Sequence, residues 1–231
     1  MQPEHLHTFQ EAQSAFDAGN YRQSVALYEQ LLDQGVRSGA LYYNLGNASA
    51  KADEPVRAVA AYYLARRYIP SDPHLNSNLR AVLKNNGGTL SPSDSSLFCS
   101  LVFWQNWIGF HTKIWSSFVL AALTVLVGVF SLFRESRRLK RCLIGAAILS
   151  VIALASVGYD WYRFEEVRQV VVTTNALPRK GNSDEYEPAF ISPIPFGTPA
   201  VVLDERNGWY SLHFPDGQEG WLPLSQTVLL R

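Results

Sequence analysis

Hydrophobic and polar positions follow three different rhythms along this chain. Over residues 1–87 apolar and small residues recur at helical spacing, and the pattern itself returns after 34 residues. Residues 114–133 and 142–159 are two runs without a single charge. The first, twenty residues at about 1.5 Å each, reaches roughly 30 Å as a helix, the thickness of a bilayer's hydrocarbon. From residue 168 the period drops towards two: Arg168–Thr174, Val201–Leu203, Trp209–Phe214 and Trp221–Leu222 alternate between turn signals such as Asn207-Gly208 and Pro215-Asp216-Gly217. The pattern predicts helix pairs, then two membrane-length helices, then a small barrel of short strands.

The repeat is specific in its residues. Gly19-Asn20-Tyr21 lies 34 positions before Asp53-Glu54-Pro55, Tyr28 before Tyr62, and Leu45 before Leu79. Small Gly46 and Ala58 let paired helices approach, Tyr62 fills the gap between pairs, and Pro70 ends a helix. Ser71 or Asp72, followed by Pro73, starts the next. With Tyr42, Leu45 and Ala65 these positions resemble tetratricopeptide repeats. The first copy is degenerate, with Thr8 and Glu11 at positions that family fills with Trp and Leu. The count is two repeats and one closing helix, about 74–85. Arrays of this kind need about three units to bury a core, so the domain is expected to lean on the membrane, on the aromatic segment before it, or on a partner. The resemblance implies a concave groove lined by Phe9, Gln13, Phe16, Tyr43, Asn44, Asn47, Lys51, Asn78, Ala81 and Lys84, docking peptides or proteins. Asn44 matches the central asparagine with which some members clamp a peptide carboxylate. Phe9, His74 and Asn78 stand where that clamp has its cations, which argues against the clamp.

Charge decides the topology of the two apolar runs. Between them Arg134, Arg137, Arg138, Lys140 and Arg141 against one acid give a clip of net +4. A loop this basic stays cytoplasmic, which places both termini on the opposite side, the periplasm of a Gram-negative cell. Leu97–Phe110 is apolar but interrupted by Gln105 and Asn106, too short and polar to span. Its Phe103, Trp104, Trp107 and Phe110, with Trp115, suit either the headgroup boundary or a helix packed on the N-terminal domain. Thr112 is a candidate cap for the first spanning helix.

In the C-terminal part, Phe196-Gly197-Thr198, Asn207-Gly208-Trp209 and Asp216-Gly217-Gln218-Glu219-Gly220-Trp221-Leu222-Pro223 resemble bacterial SH3-like domains. That resemblance implies a binding surface carrying Trp209, Tyr210 and Trp221, for cell-wall peptides or proteins. Ala176-Leu177-Pro178-Arg179 replaces the Tyr-rich strand of polyproline-binding relatives, so no Pro-rich ligand is expected. Asp184, Glu185 and Glu187 read as a solvated loop.

Composition adds exclusions. The formal charge is zero, but residues 160–231 carry six basic and ten acidic side chains, while residues 1–90 carry eight of each. No field points to nucleic acid. Two cysteines, Cys99 and Cys142, provide no disulfide framework and no metal cluster. His5 and His7 lack helical ligand spacing, and His213 has no nucleophile at hand. There is no phosphate loop, dinucleotide fingerprint or nucleophile elbow. The sequence implies no catalytic residue, metal or cofactor.

These parts assemble as a multidomain chain: an all-α repeat domain over 1–87, a linker over 88–112, spans over 113–133 and 142–160 around a basic loop at 134–141, and an all-β barrel over 165–231. Their order resembles the BatE family of bacterial aerotolerance operons. That resemblance implies protein partners of von Willebrand metal-site type and a MoxR-type ATPase, in envelope stress tolerance at the inner membrane. Its members begin with a cleaved signal peptide, whereas Met1-Gln2-Pro3-Glu4 opens directly into a polar helix. A mature form with an added Met, or a misplaced start, is favoured over a cytoplasmic first domain, which would contradict the basic clip. The function expected is a membrane-anchored periplasmic scaffold. The alternatives are a peptidoglycan-binding anchor acting through the barrel and, in another class, a wall-hydrolase subunit.

Overall fold

A computed structural model describes residues 3–89, 107–133 and 136–230. Among the described residues, seven helices, α1 (Pro3–Asp17), α2 (Tyr21–Asp33), α3 (Gly39–Lys51), α4 (Pro55–Tyr68), α5 (Pro73–Asn85), α6 (Phe110–Phe133) and α7 (Arg137–Glu165), precede five strands. These are β1 (Gln169–Val172), β2 (Pro199–Arg206), β3 (Trp209–His213), β4 (Glu219–Pro223) and β5 (Thr227–Leu229). The chain forms two compact units. One joins Met1–Leu101 with Arg168–Arg231; the other is Val102–Val167.

In the first unit α1 to α5 form helix pairs with local signals at their starts. Ser38 accepts a hydrogen bond from the Leu41 amide, and Asp72, the second of the two expected caps, accepts one from Leu75 at 2.8 Å. Pro55 and Pro73 open α4 and α5, where a missing amide hydrogen is harmless. Gly46 is required by contact: a Cβ there would meet the Tyr62 ring at 2.5 Å.

The strands form one antiparallel sheet in the order β4-β3-β2-β1-β5. Asn207 and Gly208 turn β2 into β3 with positive φ at both positions, 51° and 79°, the hairpin geometry whose twist matches the strands. The long excursion after β1 returns to the edge of β4, where Arg179 and Trp221 exchange backbone hydrogen bonds at 2.9 and 2.8 Å. The short strand β5 was not read from the sequence.

The two halves of this unit share a core. Val170 and Val172 point into the sheet's own core with Tyr210, Leu212, Phe214 and Leu222. Val171, on the other face, joins Phe196 and Leu230 against Val59, Leu83 and their helical neighbours. Strand β1 is apolar at successive positions because both of its faces are buried. The Tyr63 hydroxyl donates to the Gly197 carbonyl at 3.1 Å. Gly197 (φ +79°) and Gly88 mark the closest approach: a Cβ on the first would run into the Leu83 side chain, and one on the second into the Phe196 carbonyl. Of the supports expected for an underfilled repeat core, none was the chain's own C-terminal half. That half covers α4 and α5.

The second unit is a helix pair with its polarity inverted. The buried positions are Lys113 and Ser117 on α6 and Ser150, Ser156 and Asp160 on α7. Large apolar side chains such as Phe118, Leu126, Phe130, Ile144, Ile152 and Leu154 face outward. The Thr124 and Ser150 hydroxyls meet at 2.9 Å, and Lys113 pairs with Asp160 at 2.5 Å. A soluble helix pair buries the opposite set; small and polar contacts with an apolar exterior are what lipid favours. Both helices are long and apolar enough to cross a membrane. They also outrun their uncharged cores. Arg137, Arg138, Lys140 and Arg141 form the first turns of α7, with Ser136 as cap, rather than a loop. Thr112 lies inside α6, whose first turn closes through the Gly109 carbonyl and the Lys113 amide, and so is not its cap.

Candidate functional site

The predicted groove positions fall on α1, α3 and α5, the first helix of each pair. Tyrosine and asparagine side chains meet between neighbouring helices. The Asn44 side chain on α3 lies close enough to the Tyr28 phenol on α2 to offset part of the effect of its burial. The Tyr62 hydroxyl on α4 donates to Asn47 Oδ1 at 2.8 Å, and Asn78 on α5 donates through Nδ2 to Asn47 Oδ1 at 2.9 Å and to the Tyr43 hydroxyl at 3.3 Å. Burial pushes the Tyr28 and Tyr62 phenols well above their ordinary range, so both stay protonated donors. Asn44 is thus half-buried beside Tyr28, a setting the clamp comparison did not suggest. The signal was in the sequence: Tyr28 and Tyr62 recur with Asn44 and Asn78 at one spacing.

The remaining predicted positions divide by exposure. Phe9 packs edge-on against Tyr28 at 5.6 Å and Phe16 against Tyr21 at 5.3 Å, so both are half-buried supports. Gln13, Lys51, Ala81 and Lys84 are exposed. Lys51 and Lys84 occupy the last turns of α3 and α5.

On the β half, strand alternation splits the expected surface trio. Trp209 and Trp221 are half-buried on the outer face of the sheet. Trp209 lies opposite Pro223, and Trp221 opposite Ser211, which makes the indoles diagonal neighbours. Tyr210 is a correction: one position on from Trp209, it points inward and is 5% exposed in the core. Its ring and hydroxyl meet the Arg168 guanidinium, which also pairs with Glu205 at 2.8 Å. The two Gly-Trp glycines serve different ends. Gly208 supplies a positive φ in open space, while Gly220 admits Pro178, which a Cβ would meet at 2.7 Å.

In the acidic loop Glu187 pairs with Lys180 at 2.8 Å, and that hydrogen bond and charge hold its carboxyl below the usual range. His213 Nδ1 lies 3.3 Å from a Glu219 carboxylate oxygen. Among the described residues no cluster of three His, Cys, Asp or Glu side chains could hold a metal. Cys142 is exposed. Cys99, Phe103, Trp104 and Arg134 lie outside the described residues. Compared with known families and with curated proteins, the chain matches none.

Proposed function

We propose that this protein is a membrane-anchored scaffold whose helical half, built of tetratricopeptide-like repeats, docks protein segments in its groove beside an SH3-like β half. The observation that carries the reading is the build of the first unit. Chain segments from either side of the apolar hairpin close one core, and the groove floor above it keeps polar groups presented on helices rather than loops. The inverted seam of α6 and α7 supports a hairpin in lipid. The cations at the start of α7 support a cytoplasmic bend, with both soluble parts in the periplasm of a Gram-negative inner membrane. Part order favours service in an envelope-stress system of the BatE kind, beside von Willebrand-type and MoxR-type partners.

The test is photo-crosslinking in intact cells from Lys51 and Ala81, with exposed Gln30 on α2 as the off-groove control. Discrete adducts from the first two and not from the control are expected. Adducts from Gln30 alone would remove the groove from the proposal.

A second reading has its own observation. Trp209, Trp221 and Pro223 form a half-exposed apolar platform that suits a sugar or peptide face. Retention of the full chain on purified peptidoglycan, lost in Trp209→Ala with an unchanged melting curve, would favour a wall anchor.

A further inference from the structure

We infer that the first turns of α7 seat an acidic phospholipid, its headgroup phosphate on Arg137, Arg138, Lys140 and Arg141 and an acyl chain in the notch that Gly145 leaves beside them; this rests on the membrane hairpin proposed above. Charge balance carries the first half of the inference. All four cations are exposed, and none forms an ion pair among the described residues. They open a helix whose first turn holds no acidic residue. The positive end of the helix dipole disfavours cations there. Spacing compounds the cost: Arg137 lies three residues before Lys140 and four before Arg141, and Arg138 three before Arg141, so like charges stand side by side. A bend that served topology alone could carry the same charges in a loop, because the positive-inside rule counts cations and ignores their placement. Helical placement gathers them instead on one flank, within about 160° of arc at 3.6 residues per turn. An anion held against that flank relieves the repulsion.

Shape carries the second half. The flank faces away from α6, which α7 meets through Leu143 beside Gly128 and Ser150 beside Thr124. Gly145 lies on the flank, four residues after Arg141 and seven after Arg138. It is exposed, and a Cβ there would meet nothing within 4 Å. Glycine weakens a helix interior, and no described neighbour requires it at this position. The gap opens between Arg141, one turn before it, and Ile148 and Leu149, one turn after it, both more than half exposed. Cations and an apolar notch are therefore continuous along one strip of helix. A free phosphate or an acidic protein segment would use only the cations. An amphiphile with a phosphodiester above a hydrocarbon chain uses both.

The experiment places the full chain in phosphatidylcholine nanodiscs with a trace of chain-spin-labelled phosphatidylglycerol or phosphatidylcholine. Electron spin resonance reads the immobilised fraction of each. The acidic lipid is expected to associate about fivefold more strongly, the effect of a single cation near an anionic surface, and the excess is expected to shrink as salt rises. Arg137→Gln, Arg138→Gln, Lys140→Gln and Arg141→Gln together are expected to abolish the preference. If that variant does not reconstitute, Arg138→Gln with Arg141→Gln, the pair above Gly145, is expected to lower it several-fold. Gly145→Leu fills the notch without touching a charge and is expected to weaken association of the acidic lipid several-fold. A preference unchanged in Gly145→Leu would mean that the cations attract headgroups without seating a lipid, and overturns the site. Displacement of the acidic lipid by inorganic phosphate at constant ionic strength assigns the cations to a free anion and also overturns it. Equal association of the two lipids overturns the site and leaves the hairpin in its bilayer. Immobilisation of neither lipid overturns the membrane reading as well.

Discussion

Two glycines with the same φ separate strain from collision. Gly197 and Gly208 both sit near +79°, but a Cβ on Gly208 meets nothing, whereas one on Gly197 meets Leu83. Gly208→Ala is expected to cost about 1 kcal/mol, the penalty of the left-handed backbone. Gly197→Ala adds overpacking and is expected to cost about 2–4 kcal/mol. Urea midpoints of the two variants compare these directly; equal losses would mean that the halves do not meet at Gly197. Its neighbour Tyr63 gives the same contact a pH dependence. Burial raises the Tyr63 phenol to about 12, against the opposing charge of Arg66. A phenol raised in the folded state contributes stability that is whole below the unfolded value near 10 and is lost as pH rises towards 12. Tyr63→Phe is expected to be about 1 kcal/mol less stable at pH 8, from its lost hydrogen bond to Gly197. That gap is expected to close between pH 10 and 12; the other raised tyrosines are common to both proteins and cancel. A gap constant to pH 12 would contradict the burial of this hydroxyl. Residue roles at this scale were only half legible. The period of 34 gave the positions of Tyr62 and Asn78, but period alone does not tell an asparagine bonded to a tyrosine from one facing a ligand. Tyr210 was misjudged because an aromatic pair in a strand was read as one surface, where alternation sends its members to opposite faces.

At the scale of elements, the apolar runs announced α6 and α7, but not their ends. Arg and Lys continue a helix as readily as Leu does, and Trp and Tyr at only a small extra cost, so hydropathy marks the membrane-length part and not the helix. The seam was equally hidden, since a serine among valines reads as a tolerated polar residue until its partner is known. The Lys113–Asp160 pair is the seam's most exacting contact, with both side chains nearly inaccessible. Lys113→Met leaves a buried carboxylate without its cation and is expected to cost about 3–5 kcal/mol, whereas Lys113→Met with Asp160→Leu removes both charges and recovers most of that. A chain with Cys99 and Cys142 replaced and cysteines at Thr124 and Ser150 reports the outcome. Oxidative crosslinking is expected to be high in the parent, low in the single variant and restored in the double. Equal yields in all three would show that the pair does not hold the seam.

For the whole molecule, the consequential feature is that α1 to α5 do not close their own core. Counting repeats in the sequence already showed too few layers, because Leu75, Leu79 and Leu83 are spent on one face of a last helix. What it could not show was the cover: Val171, Phe196 and Leu230 lie some ninety residues or more beyond α4 and α5, and their apolar character is equally explained by a self-contained barrel. The shared core makes the hairpin an insertion into one folding unit. If both its helices cross lipid, the chain returns to the side it left, which is what a core built from both flanks requires. The two halves are therefore expected to depend on each other and not on the hairpin. A fragment of residues 1–89 exposes Val59 and Leu83, and each buried aliphatic side chain is worth about 1.5–3 kcal/mol. It is expected to aggregate or to melt at least 10 °C below the full chain. Residues 1–89 joined to 168–231 by a Gly/Ser linker of about twenty residues, with a mean reach of about 25 Å, restore the cover without α6 and α7. This soluble chain is expected to melt in one transition, as one cooperative core should. Gly197→Ala is expected to lower that transition by the amount it costs the full protein. Two separate transitions, with the helical one unchanged from the fragment, would mean that the β half is a neighbour of the repeats and not part of their core.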